Sequence, residues 1–444
     1  MDVQAGPEGP MRTYQARRNP SASEPHMTAS EAAASRGSLR WLGFSTRMAQ
    51  AMFRRWAPLA LVLALLLTMG SAYSDPTAAS PGGREGASDR ADPRPVGAVA
   101  KPSTQNDPDP QLYLPLILKT YSLPMLMGVY TTGWPGDTST YTNELTPLDT
   151  WTGKQHSLVG TSIDIEPSSG YQADVTDQLT QIWTHGYTPF VNLMTTTTAA
   201  AIASGSKDAA LNSWAQYFVT YTQSGTRFAF IAPMPEMNGS WTPYNGCSPH
   251  SPADFKNAYA RIQARFAANG VPAGSVRWVF APNGYSDCGA ITSYYPGDAS
   301  VDVVSFSSYN QGYMNYCQKG TPGPSQNRWD APSFTFGNYL PTLQAMAPTK
   351  PIFVSQTGTT ADYDTSCRND AAKNQWLTDA FNYLAGEVHV KGIIYYNTRG
   401  WENIDWPVYG STSLASYTGY VTGAANPAYQ YVAPADLKNA SLLP

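Results

Sequence analysis

Charge is scarce in this chain. Only 14% of its 444 residues are Asp, Glu, Lys or Arg, and the formal net charge is -4. No basic tract is available to track a phosphate backbone, which excludes nucleic acid as a partner. Cysteine is as sparse: Cys247, Cys288, Cys317 and Cys367 are the complete set. None stands in a CxxC pair, so no zinc site is expected, and no other metal or cofactor. His156, His185, His250 and His389 are scattered and form no triad. No Gly-rich phosphate loop follows the first strand-like run, which argues against an open dinucleotide-binding sheet. The apolar run Trp56 to Met69 is shorter than the roughly 20 residues a membrane span needs.

Aromatic residues are plentiful by contrast. They make up 12% of the chain, with 28 tyrosines and 12 tryptophans beside 36 glycines and 36 prolines. Low charge with many Tyr, Trp, Gly and Pro suits an exported protein with long loops, and aromatic faces suit sugar rings. Arg54-Arg55, the apolar core and the small residues Ala72 and Ser74 read as a secretory signal over 48–74, with cleavage after Ser74. No stable membrane span is expected once it is removed. Residues 1–47 then form an extension, either upstream of the true start or disordered. Residues 75–121 are rich in Pro, Gly, Ser, Ala and Asp and read as a linker, with a short apolar segment at Tyr113–Leu118. The folded domain is placed at 122–432 and a C-terminal tail at 433–444. A secreted monomer is expected, with association at a cell surface as the alternative.

Within the domain, β-rich runs alternate with amphipathic stretches. The runs are 125–131, 158–166, 187–195, 227–236, 276–283, 301–310, 351–358 and 391–398. Helical candidates lie at 173–185, 207–222, 253–268, 334–346 and 371–385. In 253–268, Phe255, Tyr259, Ile262 and Phe266 recur at helical spacing, with Ser251 and Asp254 as caps. Eight strand–helix units over about 310 residues predict a closed (β/α)8 barrel. The site of such a barrel lies at the C-terminal ends of its strands. Polar residues gather there: Glu236, Asn283, Tyr309, Asn310, Gln356 and Asn397. On the second strand, Ile163 and Ile165 share one face while Ser162, Asp164 and Glu166 share the other. The apolar face should meet the helices, which turns the acidic face toward the barrel mouth. The competing reading is an ordinary salt-bridged pair at a strand end.

The most informative stretch is Pro233-Met234-Pro235-Glu236-Met237-Asn238-Gly239-Ser240-Trp241-Thr242-Pro243-Tyr244. A carboxylate at the end of a buried strand, ringed by aromatic and amide groups, is suited to protonating a glycosidic oxygen. Glu-Met-Asn-Gly-x-Trp-x-Pro resembles glycoside hydrolase family 26, a family of mainly β-mannanases with some β-glucanases and xylanases. Val276–Asn283, Val301–Val304 with Tyr309-Asn310, Lys350–Val354 and Tyr396-Asn397 extend the resemblance. It implies a retaining-clan barrel, with an acid/base Glu after strand four and a nucleophile Glu after strand seven. Carried onto this chain, Glu236 is the acid/base. Asn238 and Trp241 line the sugar site, Tyr309 sits near the nucleophile, and Trp401 or Trp406 supplies an aromatic platform. The implied partner is a polysaccharide or oligosaccharide.

Two positions depart from that pattern. Pro235 replaces a usual histidine, and Gln356 stands where the nucleophile is expected. An amide is neutral and a poor nucleophile, so retaining turnover is put in question. Asp164 and Glu166 are the candidates for a water-activating base in an inverting reaction, and Asp362, Asp364, Glu402 and Asp405 are weaker ones. Three function classes follow: a secreted β-mannanase-like hydrolase, a carbohydrate-binding protein on a silenced hydrolase barrel, or a structural surface protein that keeps the fold without a ligand, against which Glu236, Asn238 and Trp241 count. The four cysteines fall in consecutive loops, and adjacency favours the disulfides Cys247–Cys288 and Cys317–Cys367. Trp134, Tyr244, Tyr285, Tyr313, Tyr316 and Trp329 are candidate groove aromatics.

Overall fold

The computed structural model describes residues 124–310, 330–361, 369–399 and 405–440. The expected signal and linker lie outside these residues, as do Trp401, Glu402, Asp362, Asp364, Tyr313, Tyr316, Trp329, Cys317 and Cys367. No helix among the described residues is long and apolar enough to cross a membrane.

Eight parallel strands close into a barrel in sequence order. They are β1 (Leu126–Tyr130), β2 (Leu158–Asp164), β3 (Thr188–Met194), β4 (Ala229–Pro233), β5 (Val276–Phe280), β6 (Val303–Ser307), β7 (Ile352–Thr357) and β8 (Val390–Tyr396). The expected (β/α)8 architecture is the observed one. Each observed strand falls within a residue of its expected start or inside it, and all eight stop short of the expected C-terminal end. Among the residues left over, Asn283 and Asn310 keep only isolated bridges, to Ser307 and Thr359.

Alternation sorts each strand into two faces. Leu126, Leu158, Phe190, Phe230, Val279, Val303, Phe353 and Ile394 fill the barrel interior. Val129, Val159, Ile163, Val191, Ile231, Val304, Ile352 and Ile393 face the helices. The helix Pro252–Ala268 shows why the outer layer holds. Ser251 accepts from the Asp254 amide while Asp254 accepts from the Ser251 amide, closing a capping box. Phe255, Tyr259, Ile262 and Phe266 are then buried on one stripe, each worth roughly 1.5–3 kcal/mol relative to exposure.

One interior position needs glycine. A Cβ on Gly160 would overlap the Tyr130 ring. Its absence lets Tyr130 cross from β1 into the barrel centre, where it is 5% exposed. The segment expected as a tail instead contributes a helix, Pro434–Asn439, whose Leu437 joins the interior cluster. Apolar burial at Leu437 outweighed the short polar character of that segment.

A buried network ties β2's beginning to the helices. Asp149 Oδ1 lies 2.5 Å from His156 Nδ1, and Tyr187 Oη donates to Asp149 Oδ2 at 2.7 Å. His156 Nε2 lies 2.8 Å from Tyr420 Oη. This cluster is at the end of β2 opposite the mouth, where polar side chains support stability rather than chemistry.

Candidate active site

After Pro233 the chain leaves β4 through two strained residues. Met234 has φ 51° and Glu236 has φ 59°, a region costly for residues with a Cβ. Neighbouring strands hold this turn. The Met234 amide donates to Leu193 O at 2.9 Å, and the Glu236 amide donates to Ala281 O at 2.7 Å. Met234 and Met237 are buried on either side. The result is a Glu236 side chain fixed at the mouth.

Two neutral donors orient its carboxylate. Trp241 Nε1 donates to Oε2 at 2.9 Å, and Ser307 Oγ makes a short bond to Oε1. Ser307 in turn accepts from Asn283 Nδ2 at 3.1 Å. Ser307 is also the cross-strand partner of Gln356. One serine therefore sits between the carboxylate and the amide.

Gln356 reaches this position through a bulge. Phe306 pairs with Val354 but Ser307 pairs with Gln356, and Val354 to Thr357 spans only Ile393 to Tyr395 on β8. One extra residue on β7 turns Gln356 to the interior face. Its Oε1 accepts from Tyr309 Oη at 2.9 Å, and the Tyr130 hydroxyl lies nearby. Asn192 Nδ2 donates to that same hydroxyl at 3.0 Å. Burial holds both phenols protonated, pushing Tyr130 and Tyr309 far above the ordinary phenol range. The negative charge of Glu236 adds to the shift in each.

The other expected site residues divide. Asn238 is fully buried and does not line an open site. Its Nδ2 donates to Asn283 O at 2.8 Å and its Oδ1 accepts from the Asn283 amide at 2.8 Å. Both ends of its amide are used to lash the β4 loop to the β5 loop. Trp406, only 7% exposed, is a wall rather than an open platform. Its ring centroid lies 5.1 Å from that of Tyr309. Tyr244 is buried as well. The open faces are Trp241 and Tyr285, 51% and 64% exposed, with ring centroids 6.5 Å apart and 18° between planes.

Cys247 and Cys288 are joined, with Cα atoms 4.5 Å apart. Beside them, Asp287 accepts from the Ser240 amide at 2.8 Å. Together with Asn238 they hold Trp241 over Glu236.

On β2, Ser162 and Asp164 continue the interior register of Leu158 and Gly160. Glu166 lies beyond the strand, exposed, with Lys207 Nζ 3.1 Å from its Oε1. The two carboxylates therefore separate: Asp164 is half-buried at the mouth, and Glu166 is a solvated ion pair. Burial raises the Asp164 carboxyl above its ordinary value, partly offset by a hydrogen bond from the Glu166 amide. A raised carboxyl binds its proton more tightly in the native state. Its stabilising effect is present at low pH and is lost as pH rises from the ordinary value through the raised one. Asp164→Asn is expected to raise the thermal midpoint at pH 7 by ~1–2 °C and to change nothing near pH 3. Equal shifts at both pH values would break this assignment.

Ser307, Tyr130 and Asn192 were not evident from sequence. Small polar residues at alternate positions of β6, Ser305 and Ser307, were the available signal.

Residues 227–320 match the family model of glycosyl hydrolase family 26. Over that stretch this chain resembles family 26. The match runs from the start of β4 past the end of β6 and takes in Glu236, Trp241 and Ser307. Endoglucanase H of Acetivibrio thermocellus is 27% identical over 235 residues, 51% of this chain and 23% of that protein. Mannan endo-1,4-beta-mannosidase A and B of Caldalkalibacillus mannanilyticus is 24% identical over 195 residues, 39% of this chain and 37% of that protein. The chain thus spans well under half the length of either relative. An endo-beta-1,4-mannanase double mutant from Cellulomonas fimi shares the fold, with a TM-score of 0.50 at 16% identity. That likeness covers 70% of this chain and 74% of the other.

Proposed function

We propose that this protein is exported and acts on a β-linked, mannan-like polysaccharide at the mouth of its barrel. The observation that carries this reading is Glu236, strained into the mouth and gripped by Ser307 and Trp241. In this reading Glu236 gives its proton to the glycosidic oxygen as the bond to the anomeric carbon breaks. Trp241 and Tyr285 stack on the sugars that flank the bond. Gln356 occupies the position from which a carboxylate would attack the anomeric carbon.

That amide favours a second reading. A neutral Gln356 held by Tyr309 can hydrogen-bond a sugar hydroxyl but cannot form a glycosyl ester. A protein that binds the polysaccharide without cleaving it would keep this arrangement.

Affinity electrophoresis on mannan, glucan and xylan gels, run beside reducing-sugar release, separates the two readings. Retardation with release supports the hydrolase, and retardation alone supports the binding protein. Absence of both ends the sugar reading. Where release is seen, Glu236→Gln is expected to lower it about 10²-fold or more on polysaccharide. An aryl glycoside with a good leaving group should lose far less, because its departure needs little protonation. Small, equal losses on both substrates would remove Glu236 from the acid role.

A further inference from the structure

The segment 239–246, which carries Trp241, is pinned to the loop after β5 at both of its ends. The near pin is Asn238. Its side chain bonds the backbone of Asn283, and its carbonyl accepts from the Cys288 amide at 3.1 Å. The far pin is the covalent bond from Cys247 to Cys288. Between the pins, Asp287 accepts from the Ser240 amide at 2.8 Å and from the Ser240 hydroxyl at 2.5 Å. Ser240 immediately precedes Trp241, whose Nε1 donates to Glu236 Oε2.

The two pins differ in strength and in reach. Asp287 is exposed, where water competes for both of its bonds, so it needs its neighbour Cys288 to keep it against Ser240. Cys247 and Cys288 are themselves half-buried and flanked by the exposed Ser248, Pro249, Gly289 and Ala290, so a small thiol can reach the bond. The strands below are held independently. Ala229, Phe230 and Ile231 of β4 pair with Val276, Arg277 and Trp278 of β5, within the closed sheet. Opening the bond therefore loosens the rim and leaves the barrel closed.

We infer that the Cys247–Cys288 bond is a redox switch for the Glu236 site. A dithiol attacks one sulfur. Both cysteines become thiols, and the dithiol leaves as its own disulfide, having given up two electrons and two protons. The segment 239–246 then loses its far pin, Asp287 separates from Ser240, and Trp241 lets go of Glu236 Oε2. Ser307 still holds Oε1, so the carboxylate stays at the mouth without its aromatic partner. An oxidising compartment assembles the site and a reducing one keeps it apart. The consequence for sugar binding rests on the reading proposed above; the loosening of the loop does not.

The test compares the oxidised full chain with the same protein in dithiothreitol. Hydrogen exchange follows the loops, and calorimetric titration of linear β-1,4-manno-oligosaccharides follows the site. After reduction the amides of Ser240 and Cys288 should exchange about tenfold faster or more, while those of β4 and β5 keep their rates. Oligosaccharide affinity should fall about five- to tenfold. Cys247→Ser combined with Cys288→Ser should reproduce both changes without any dithiol. Cys317→Ser combined with Cys367→Ser should leave the response to dithiol in place, which assigns it to this bond. Asp287→Ala should weaken binding in the oxidised protein, and Asp287→Asn, which keeps an acceptor for the Ser240 amide, should recover most of that loss. Unchanged exchange on reduction, or faster exchange throughout the barrel, would overturn the switch, as would a measurable affinity that reduction does not alter. If exchange responds as expected but the oxidised protein binds no oligosaccharide, the sugar reading fails and the switch stands.

Discussion

Gln356→Glu is expected to fold as the natural protein does and to raise hydrolysis of β-mannan by several powers of ten, with retention at the anomeric carbon. The surroundings of Gln356 are already suited to an anion. Tyr309 Oη donates to Oε1 at 2.9 Å. The Tyr130 oxygen accepts from Asn192, so its own proton can rotate toward a nearby carboxylate. Burial keeps both phenols protonated and therefore able to donate. The new side chain matches the old in shape, so the thermal midpoint should stay within about 4 °C.

The added charge has a second consequence. Glu236 bonds Ser307, and Ser307 is the cross-strand partner of residue 356. Two carboxyls so placed disfavour joint ionisation and hold one proton between them over a range of pH. That state is what a retaining reaction needs: one carboxylate to attack, one acid to protonate the leaving oxygen. The variant should show a bell-shaped pH profile. Proton NMR of the first-formed anomer decides the stereochemistry. If the natural protein instead uses Asp164 to activate water, its product is inverted and Gln356→Glu lowers the rate. Absence of any gain, with folding and binding intact, would show that residue 356 does not face the anomeric carbon.

The second large effect is on stability. Lys373, on the helix Asp370–Ala385, is fully buried. Its Nζ donates to the carbonyls of Asp405 at 2.5 Å, Trp406 at 3.2 Å and Pro407 at 2.9 Å. It lies 3.4 Å from Asp405 Oδ2 and 4.0 Å from the Tyr417 ring centroid. Tyr417 Oη donates to the same Asp405 oxygen at 2.6 Å. Lys373→Met keeps most of the volume but strands a buried carboxylate and removes a donor from three carbonyls. Breaking a buried pair from one side costs roughly 3–5 kcal/mol, about 6–15 °C in midpoint for a domain of this size. Tyr417→Phe should cost about 1–2 kcal/mol. Adding Asp405→Asn to Lys373→Met should recover part of the loss, since the stranded charge is gone. Additive losses across that cycle would contradict the ion-pair account. The loss should also reach the sugar site, because the clamped residues carry Trp406, the wall behind Tyr309.

Some of this was legible in the chain before any tertiary contact. Eight alternations of β-rich and amphipathic segments sufficed for a closed barrel, because parallel strands buried on both faces need a helix between each pair. The helix at Pro252–Ala268 could be placed from its caps and its aromatic spacing. The inward turn of Ser162 and Asp164 followed from the period of two along a regular strand. Glu236 stood out because a carboxylate directly after a buried apolar run has few bland explanations.

What tertiary structure decided was which polar groups are spent. Asn238 and Trp406 read as sugar contacts, yet the first is consumed by the backbone of Asn283 and the second is packed under Tyr309. Those partners lie in other loops, and no local pattern encodes them. The facing of Gln356 was equally hidden. Alternation assigns a side chain to a face only while the ladder is regular, and the extra residue on β7 reverses the assignment just where the site begins. Tyr130 reaches Gln356 only because Gly160, on a different strand, leaves room for its ring. Each case depends on distances between segments far apart in the chain, and closure of the barrel is what sets those distances.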